Sequence, residues 1–288
     1  MIVLIGASGQ LGEALSEAWR ARALVTPSRA ELDFLDAGAV EAFLDRLKPD
    51  VLVNCSAFHN VEECERTPAP AFAANALAVD AAAQACAQRG IAFATVSTDY
   101  VFDGTAGRAY DETDAPNPLS AYGVSKLAGE LLTRRHGPRH YIIRTSGVFG
   151  KSGTSNKGYT FIERILQQAE RGEPLRIVDN ITFSPSYAPH IARVIVDLVD
   201  REAFGTHHVT GSGATTWYAF AGAALDGAGL HADLTAIRYD SFGSGTRRPL
   251  FSALRSITLP ALGIAPAPPW EDGVADYLLE RSRRLSRA

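Results

Sequence analysis

Tyr122 and Lys126 are the residues of this chain whose types and spacing point most directly to chemistry, because they stand four positions apart in the segment YGVSK. On a helix this spacing places both side chains on one face. A nearby cation favours phenolate, so we expect Lys126 to lower the pKa of Tyr122 from its usual value of about 10. Tyr122 would then protonate the alkoxide that forms as hydride reaches a carbonyl carbon. The pair therefore predicts carbonyl reduction.

A second donor for that carbonyl follows an apolar run at residues 91–96, in the sequence Ser97, Thr98, Asp99, Tyr100. Open α/β sheets bind their ligands at the carboxyl ends of strands. Thr98 is therefore the candidate carbonyl-binding group. A Tyr-x-x-x-Lys spacing alone arises by chance on many helices, but in chain order with Thr98 and a glycine-rich turn it predicts a catalytic set.

That glycine-rich turn comes directly after the first apolar run and has the spacing Gly6-x-x-Gly9-x-x-Gly12. Gly6 permits a tight turn, Gly9 lets the backbone approach a pyrophosphate, and Gly12 lets helix and strand pack closely. The N-terminus of the following helix supplies free N–H groups for the anion. The G-x-x-G-x-x-G spacing resembles that of the short-chain dehydrogenase/reductase superfamily, so we expect a nicotinamide dinucleotide as cofactor.

The choice between NAD and NADP is normally made at the end of the second strand, where a carboxylate binds a ribose hydroxyl and an arginine binds a 2′-phosphate. Residues 26–29 read TPSR, so Arg29 is the expected phosphate partner and NADPH is favoured over NADH. The alternative for Arg29 is an exposed loop arginine that only solvates the surface. Asp33 and Phe34 are expected beside the adenine.

The elements that must position these groups alternate between short apolar runs and amphipathic stretches. In chain order they are residues 2–5, 13–22, 23–26, 39–47, 51–54, 69–89 and 91–96, then an irregular segment at 103–118, a helix at about 121–136 and a strand at 140–144. This alternation predicts βαβ units. Strands that are continuously apolar suit a parallel sheet covered on both faces.

After Gly150 the alternation of apolar runs and amphipathic stretches becomes less regular. Helices are expected near residues 159–171 and 189–201, a strand near 207–210, and a Pro-rich stretch follows at 260–269. We expect an α/β chain with a Rossmann-like doubly wound parallel sheet and a smaller interleaved C-terminal substrate lobe. The dinucleotide-binding domain would span residues 1–150, and residues 151–288 would form mainly the lobe, with some segments returning to the Rossmann domain.

Composition excludes several classes of function. The chain has 288 residues, of which 46% are hydrophobic and 21% are charged, as in ordinary globular proteins. Its net charge of -4 and the lack of a long basic stripe argue against nucleic acid. No apolar run approaches the roughly 18 residues of a membrane span, and no secretory signal begins the chain. Three unpaired cysteines, Cys55, Cys64 and Cys86, suit a reducing compartment, so a cytoplasmic location is expected.

Segments along nearly the whole chain resemble dTDP-4-dehydrorhamnose reductases. They are residues 53–59 with Asn75, 97–104 (STDYVFDG), 122–130 (YGVSKLAGE), 144–146 (RTS), 205–209 (GTHHV), 215–217 (TTW) and 247–249 (RRP). The resemblance implies reduction of the 4-keto group of a nucleotide-linked 6-deoxyhexose. Thr98 would bind the carbonyl, Tyr122 would donate the proton and Lys126 would bind the cofactor ribose.

The motifs and the resemblance together predict two sets of binding residues. Cofactor-binding residues are expected to be Gly6, Ser8, Gly9, Gln10, Leu11, Gly12, Arg29, Asp33, Phe34, Ser56, Ala57, Asn75, Ser97, Tyr122 and Lys126. Substrate-binding residues are expected to be Asp99, Tyr100, Ser146, Gly147, Ser186 and Arg248. The expected partner is a nucleotide sugar, and a homodimer is the candidate assembly.

Gly147 is the main departure from the family pattern, which usually has tryptophan after the RTS segment. A large aromatic that packs on a sugar is missing there, so we expect a roomier acceptor end of the pocket. Residues 179–186 also differ from the family pattern, which has glutamine and glycine within this stretch.

Two other functions remain open. A nucleotide-sugar epimerase or 4,6-dehydratase would need an additional acid, but Asp99 is followed by Tyr100 rather than by a glutamate. A non-catalytic NADP-binding subunit, similar to the β subunit of methionine adenosyltransferase, would not need the intact Tyr122 and Lys126. The histidines lack metal-ligand spacing, so no metal is expected. His59 is singled out for another reason, because it follows the third strand, where its side chain is interpreted as facing the cofactor cleft. The cysteines are interpreted as buried small hydrophobes.

Overall fold

The computed structural model describes residues 1–151, 160–242 and 245–286. Its first half alternates strands and helices. In chain order these are β1 (Ile2–Ile5), α1 (Gln10–Ala18), β2 (Leu24–Val25), α2 (Ala37–Leu47), β3 (Val51–Asn54), α3 (Val61–Arg66), α4 (Pro68–Phe72), α5 (Ala78–Gln88), β4 (Ala92–Thr98), α6 (Ala121–Arg135) and β5 (His140–Thr145).

The second half supplies shorter strands and four longer helices. In chain order its elements are β6 (Val148–Phe149), α7 (Phe161–Glu170), β7 (Leu175–Val178), β8 (Thr182–Phe183), β9 (Ser186–Tyr187), α8 (Ala188–Asp200), β10 (Gly205–His208), β11 (Thr215–Thr216), α9 (Trp217–Ala228), β12 (Leu234–Ile237), α10 (Thr258–Ala261) and α11 (Trp270–Leu285). The predicted start of α7 at Tyr159 lies outside the described residues.

Six parallel strands form the central sheet, in the order β10-β5-β4-β3-β1-β2. All residues of β1 and β3 are buried, as expected of strands covered on both faces. The arrangement confirms the predicted Rossmann-like doubly wound sheet. The chain moves outward from β1 to β2 and then returns to β3 on the other side of β1. The crevice at the carboxyl ends of β1 and β3 is therefore the expected ligand site.

Helices cover both faces of this sheet. Leu15 and Trp19 of the α1 region join Ile191 and Leu198 of α8 in one apolar cluster, and α2 and α5 cover the opposite face. Strand β10 extends the sheet although it lies in the second half of the chain. The boundary between domains near residue 150 stays a prediction.

The predicted helix at residues 69–89 is interrupted in the structure. It consists of α4, a π-helical segment at Ala73–Leu77, and α5. A π-helical turn inserts an extra residue and often occurs at functional sites. The preceding helix α3 was not predicted, because its six residues are too few to display a helical period.

The smaller lobe has its own apolar core. Phe183, Phe220, Trp270 and Tyr277 lie in this cluster with residues of α7, α9 and α11. Strand β7 pairs with β12, β8 with β11, and β6 with β9. Within the three described ranges, no helix combines the length and apolar character that crossing a bilayer requires.

Candidate active site

The N-terminus of α6 places Tyr122 in the first helical turn. The Ser120 hydroxyl caps this helix by accepting from the Gly123 N–H at 3.2 Å. The Glu65 carboxylate of α3 accepts from the Ala121 N–H at 2.5 Å. A side chain at Gly123 would put its Cβ 2.3 Å from the carbonyl oxygen of Tyr100, so only glycine lets α6 begin this close to the end of β4.

The second turn of α6 is fixed against the π-helical segment. A Cβ at Gly129 would lie 2.2 Å from the Asn75 carbonyl oxygen. The Asn75 amide nitrogen donates to the Phe58 carbonyl at 2.9 Å and to Ser125 Oγ at 3.0 Å, while its oxygen accepts from the Phe58 N–H at 2.9 Å. Asn75 thus ties the loop after β3 to the residue before Lys126. Its contact with a cofactor stays a prediction.

Thr98, the last residue of β4, lies beside Tyr122. Its buried hydroxyl donates to Asp99 Oδ1 at 3.1 Å and accepts from the Tyr100 N–H at 3.2 Å. The ring of Tyr100 meets that of Tyr122 edge-on, with 6.0 Å between ring centroids. The structure therefore brings together the hydroxyl, the phenol and the strand end that the sequence motifs singled out.

The pKa of Tyr122 differs from expectation. Burial raises it above the ordinary value, the hydrogen bond with Thr98 lowers it only in part, and the charge of Asp99 raises it further. The expectation that Lys126 lowers the pKa of Tyr122 is therefore wrong, because desolvation of the phenol is the larger effect. At neutral pH the phenol keeps its proton and is ready to act as a donor.

Lys126 is buried as well. Burial lowers the pKa of its ammonium to about 8, against the opposing influence of Glu130 and Cys55. The side chain remains mostly protonated at neutral pH. Burial raises the pKa of the Cys55 thiol to about 12, which makes it a poor nucleophile, as expected of a small hydrophobic residue.

The phosphate-binding turn has the geometry that the glycine spacing predicts. Gly6 adopts φ +78°, and a Cβ at Gly12 would lie 2.1 Å from the Gly6 carbonyl oxygen. Gly9 is the N-cap of helix α1 and supplies no side-chain cap, so the first N–H groups of the helix are free to bind an anion. These uncapped donors fit a dinucleotide pyrophosphate at this turn.

The remaining cofactor-binding candidates differ in accessibility. Ser8, Arg29 and Asp33 are exposed at or beyond the strand ends, and their cofactor contacts stay predictions. Leu11 is buried in the apolar cluster beneath the turn, where its side chain packs α1 on the sheet. Phe34 is buried in the cluster on the opposite face of the sheet, and its place beside adenine stays a prediction.

Three polar residues at or after the ends of β3 and β4 contact other groups of the protein itself. The Ser56 hydroxyl donates to Asn54 Oδ1 at 2.6 Å, next to half-buried Ala57. The Ser97 hydroxyl donates to Glu130 Oε1 at 2.6 Å and so faces α6. His59 is exposed, and its ring lies 3.4 Å from the Ala57 carbonyl oxygen.

On the substrate side, Asp99 connects the two domains. Its buried carboxylate accepts from Ser146 Oγ at 2.8 Å and from Ser252 Oγ at 2.5 Å, in addition to Thr98. Burial raises the pKa of Asp99 to about 6, although these three hydroxyls lower it in part. Ser252 also matches the family pattern, but it was given no role in the site, because nothing in its local sequence indicates a partner so far away along the chain.

Gly147 has an aromatic neighbour that the sequence pattern did not reveal. It adopts φ +51°, and a Cβ there would lie 2.3 Å from the ring of Phe183. Phe183 is buried and stacks on Trp217 with 3.9 Å between centroids. The expectation of a roomier pocket is therefore wrong at this position, because Phe183 of β8 fills the space that a side chain at 147 would take.

Arg248 and Ser186 are the remaining substrate-binding candidates. Arg248 donates to the Tyr100 hydroxyl at 3.3 Å, forms an ion pair with Glu62 of α3, and lies over the ring of Tyr239. The Ser186 hydroxyl donates to the Ser184 carbonyl at 3.1 Å and accepts from a backbone N–H at 3.1 Å, so it is held within the lobe. Arg248 thus contacts Tyr100 at the end of β4, while Ser186 is held within the lobe.

The fold and site define an NAD(P)-dependent oxidoreductase of the extended short-chain dehydrogenase/reductase type. The family model for the RmlD substrate binding domain matches residues 1–283. The chain belongs to the dTDP-4-dehydrorhamnose reductase family, which confirms the resemblance read from its motifs.

Individual relatives agree with this assignment. The chain is 31% identical over 283 residues to the spore coat polysaccharide biosynthesis protein SpsK of Bacillus subtilis, covering 98% of each chain. It is 32% identical over 295 residues to a dTDP-4-dehydrorhamnose reductase of Salmonella typhimurium, covering 97% of each. The crystal structure of a dTDP-4-dehydrorhamnose reductase from Bacillus anthracis in complex with NADP has a TM-score of 0.92 at 27% identity, covering 97% of this chain and 98% of that one.

Proposed function

We propose that this chain reduces the 4-keto group of a nucleotide-linked 6-deoxyhexose with NADPH. The observation that carries the proposal is the hydrogen bond between the Thr98 hydroxyl and the Tyr122 phenol, with Lys126 four residues further along the same helix. The family assignment supplies the substrate class, since the Salmonella relative bears the name of a dTDP-4-dehydrorhamnose reductase.

Each catalytic residue has a defined task in this reaction. NADPH, when bound, supplies the hydride to the carbonyl carbon. The Thr98 hydroxyl binds the carbonyl oxygen, and Tyr122 passes its phenolic proton to that oxygen. Lys126 binds ribose hydroxyls of the cofactor. The Asp99 carboxylate holds Thr98 and Ser146 in place.

The cofactor assignment depends on the turn and on one arginine. The first N–H groups of α1 would bind the pyrophosphate, and Arg29 would bind the 2′-phosphate. The NADP bound to the Bacillus anthracis relative supports the same choice. Both NADPH and nucleotide sugars are cytoplasmic metabolites, so we place the reaction in the cytoplasm. A homodimer and the absence of nucleic-acid binding stay predictions.

The test is NADPH oxidation on addition of dTDP-4-dehydrorhamnose or dTDP-4-keto-6-deoxyglucose. Turnover with either sugar, and none with the sugar omitted, supports the proposal. Proven NADPH binding without turnover of any keto sugar contradicts it. Purified protein that retains NAD and needs no added NADPH would instead indicate an epimerase or dehydratase. Co-purification with a partner enzyme and no reductase activity would indicate a binding subunit.

A further inference from the structure

A buried carboxylate lies one helical turn beyond Lys126. Glu130 is 1% exposed. Its Oε1 accepts from Ser97 Oγ at 2.6 Å and from Arg144 Nε at 2.9 Å, and its Oε2 accepts from Arg144 Nη2 at 2.7 Å and from Arg134 Nη2 at 3.0 Å. Four donors thus saturate this carboxylate and fix its orientation.

Stability alone does not account for such a group. Desolvating two charges costs about as much as their attraction contributes, and apolar replacements of buried ion pairs are often neutral or stabilising. The partners of Glu130 are instead notable for their positions. Ser97 immediately precedes Thr98 in β4, and Arg144 lies two residues before Ser146 at the end of β5. Glu130 therefore joins α6 to both strands at the edge where the catalytic groups meet.

The charge of Glu130 also acts on Lys126 through space. The two residues are four apart on α6 and so share a helix face. Glu130 raises the pKa of Lys126 against the larger effect of burial. Without this carboxylate, the desolvated ammonium would lose its proton at lower pH.

Other ionisable groups on the elements around α6 have different partners. They are Cys55, Glu65, Asp80, Asp99, Arg134 and Arg144. Glu65 caps α6 at Ala121, Asp80 binds His136 at the far end of the helix, and Asp99 binds hydroxyls. Within the described part of the chain, Cys55 is the other group that raises the pKa of Lys126, and its thiol is neutral at pH 8.

We propose that Glu130 is a positioning residue for the reductase reaction: its carboxylate, clamped by Arg144 and Ser97, ties α6 to β4 and β5 and keeps the Lys126 ammonium charged beside the cofactor cleft. The inference rests on the proposed function, because it assigns Lys126 to the cofactor ribose. A role in folding alone would leave the protonation of Lys126 unaffected. The two roles therefore differ in pH dependence.

The test measures the NADPH dissociation constant by fluorescence between about pH 6 and about pH 10 for the parent and Glu130→Gln. Since the charged lysine binds the cofactor, affinity in the parent should fall as pH rises through about 8. In Glu130→Gln this transition should move to lower pH by about one unit. An unchanged midpoint with uniformly weaker binding would overturn the inference.

Two further variants guard against misfolding. Glu130→Gln leaves the Arg144 guanidinium buried without its anion, whereas Glu130→Gln combined with Arg144→Met removes both charges. The double variant should also move the midpoint to lower pH, because it too lacks the Glu130 charge that opposes burial at Lys126. Glu130→Asp retains the charge and should restore the midpoint toward that of the parent.

Glu163→Gln is the matched control. Glu163 is a partly buried carboxylate of the small lobe that binds Arg281 and Tyr277, so its loss should lower stability without moving the midpoint. A shift in this control equal to that of Glu130→Gln would contradict the inference. If the parent fails to bind NADPH, the proposed function fails; if the parent binds and turns over but the Glu130 variants keep its midpoint, the inference alone fails.

Discussion

At the scale of single residues, burial decides how the catalytic groups are charged. The same desolvation that raises the pKa of the Tyr122 phenol lowers that of the Lys126 ammonium. The phenol is thereby kept as a proton donor, and a nearby carboxylate opposes the lowering of the lysine pKa. The chemistry thus depends on neighbours that motif spacing does not reveal.

Replacing Tyr122 by phenylalanine removes the proton donor while leaving the ring in place. We expect kcat to fall by about 10²–10⁴-fold, the usual contribution of a general acid. The NADPH dissociation constant should change little, since Lys126 and the glycine-rich turn remain. Steady-state kinetics and a fluorescence titration on the same preparation measure both quantities. A variant as fast as the parent would remove Tyr122 from the mechanism.

Asp99 makes stability depend on pH in a direction opposite to that of most carboxylates. Its folded pKa of about 6 lies above the ordinary value of 3.8, so the protonated form is favoured by folding. Its stabilising contribution is present below about pH 4 and is lost as pH rises through about 6. Urea unfolding of the parent and Asp99→Asn at several pH values isolates this contribution as their difference. Between about pH 4 and pH 7 the free energy of unfolding of Asp99→Asn should rise relative to that of the parent. A difference between the two free energies that stays constant with pH would contradict a raised pKa for Asp99.

At the scale of elements, glycines determine how closely α6 approaches its neighbours. Gly123 and Gly129 each face a backbone carbonyl oxygen, at 2.3 Å and 2.2 Å from where a Cβ would stand. A backbone carbonyl cannot move aside in the way that the end of a long side chain can. The helix that carries Tyr122 and Lys126 is therefore located by contacts that exclude any side chain at these two positions.

Gly129→Ala should lower the free energy of unfolding by about 1–3 kcal/mol, because the new methyl group collides with the Asn75 carbonyl. Gly222→Ala in α9 is the matched control, since a Cβ there would meet only Leu234 at 3.9 Å. Alanine at this helical position should stabilise by about 0.5–1 kcal/mol. Urea denaturation of both variants compares the two directly, and equal effects would refute the close approach of α6 to the π-helical segment.

The sequence predicted the centre of the sheet well because β1 and β3 are buried on both faces and show as short apolar runs. Local motif spacing also singled out Thr98, Tyr122 and Lys126, whose catalytic roles stay predictions. The break in the helix at residues 69–89 was not predicted, because a π-helical turn disrupts the 3.6-residue period. No role was assigned to Glu130 or to its partner Arg144, because pairing between separate elements leaves no local pattern in the sequence.

At the scale of the whole molecule, the two domains meet through buried groups next to the catalytic residues. Asp99 of the Rossmann domain holds Ser252 of the C-terminal segment, and Gly147 after β5 lies against Phe183 of the small lobe. The Phe183 ring is stacked in turn on Trp217 of α9. A change at Gly147 should therefore be transmitted to the packing of the lobe.

Gly147→Trp, which restores the residue usual in the family, should be strongly destabilising in this chain. The position has a positive φ that residues with side chains adopt at a cost, and Phe183 occupies the volume that the indole would need.

Phe183→Ala alone should cost about 3–5 kcal/mol through the cavity that it leaves. Combining the two should cost less than their sum, because the indole can enter that cavity. A double-mutant cycle by urea unfolding measures this coupling. Strict additivity would show that the two positions do not share one space, and that the lobe packs on the Rossmann domain in another way.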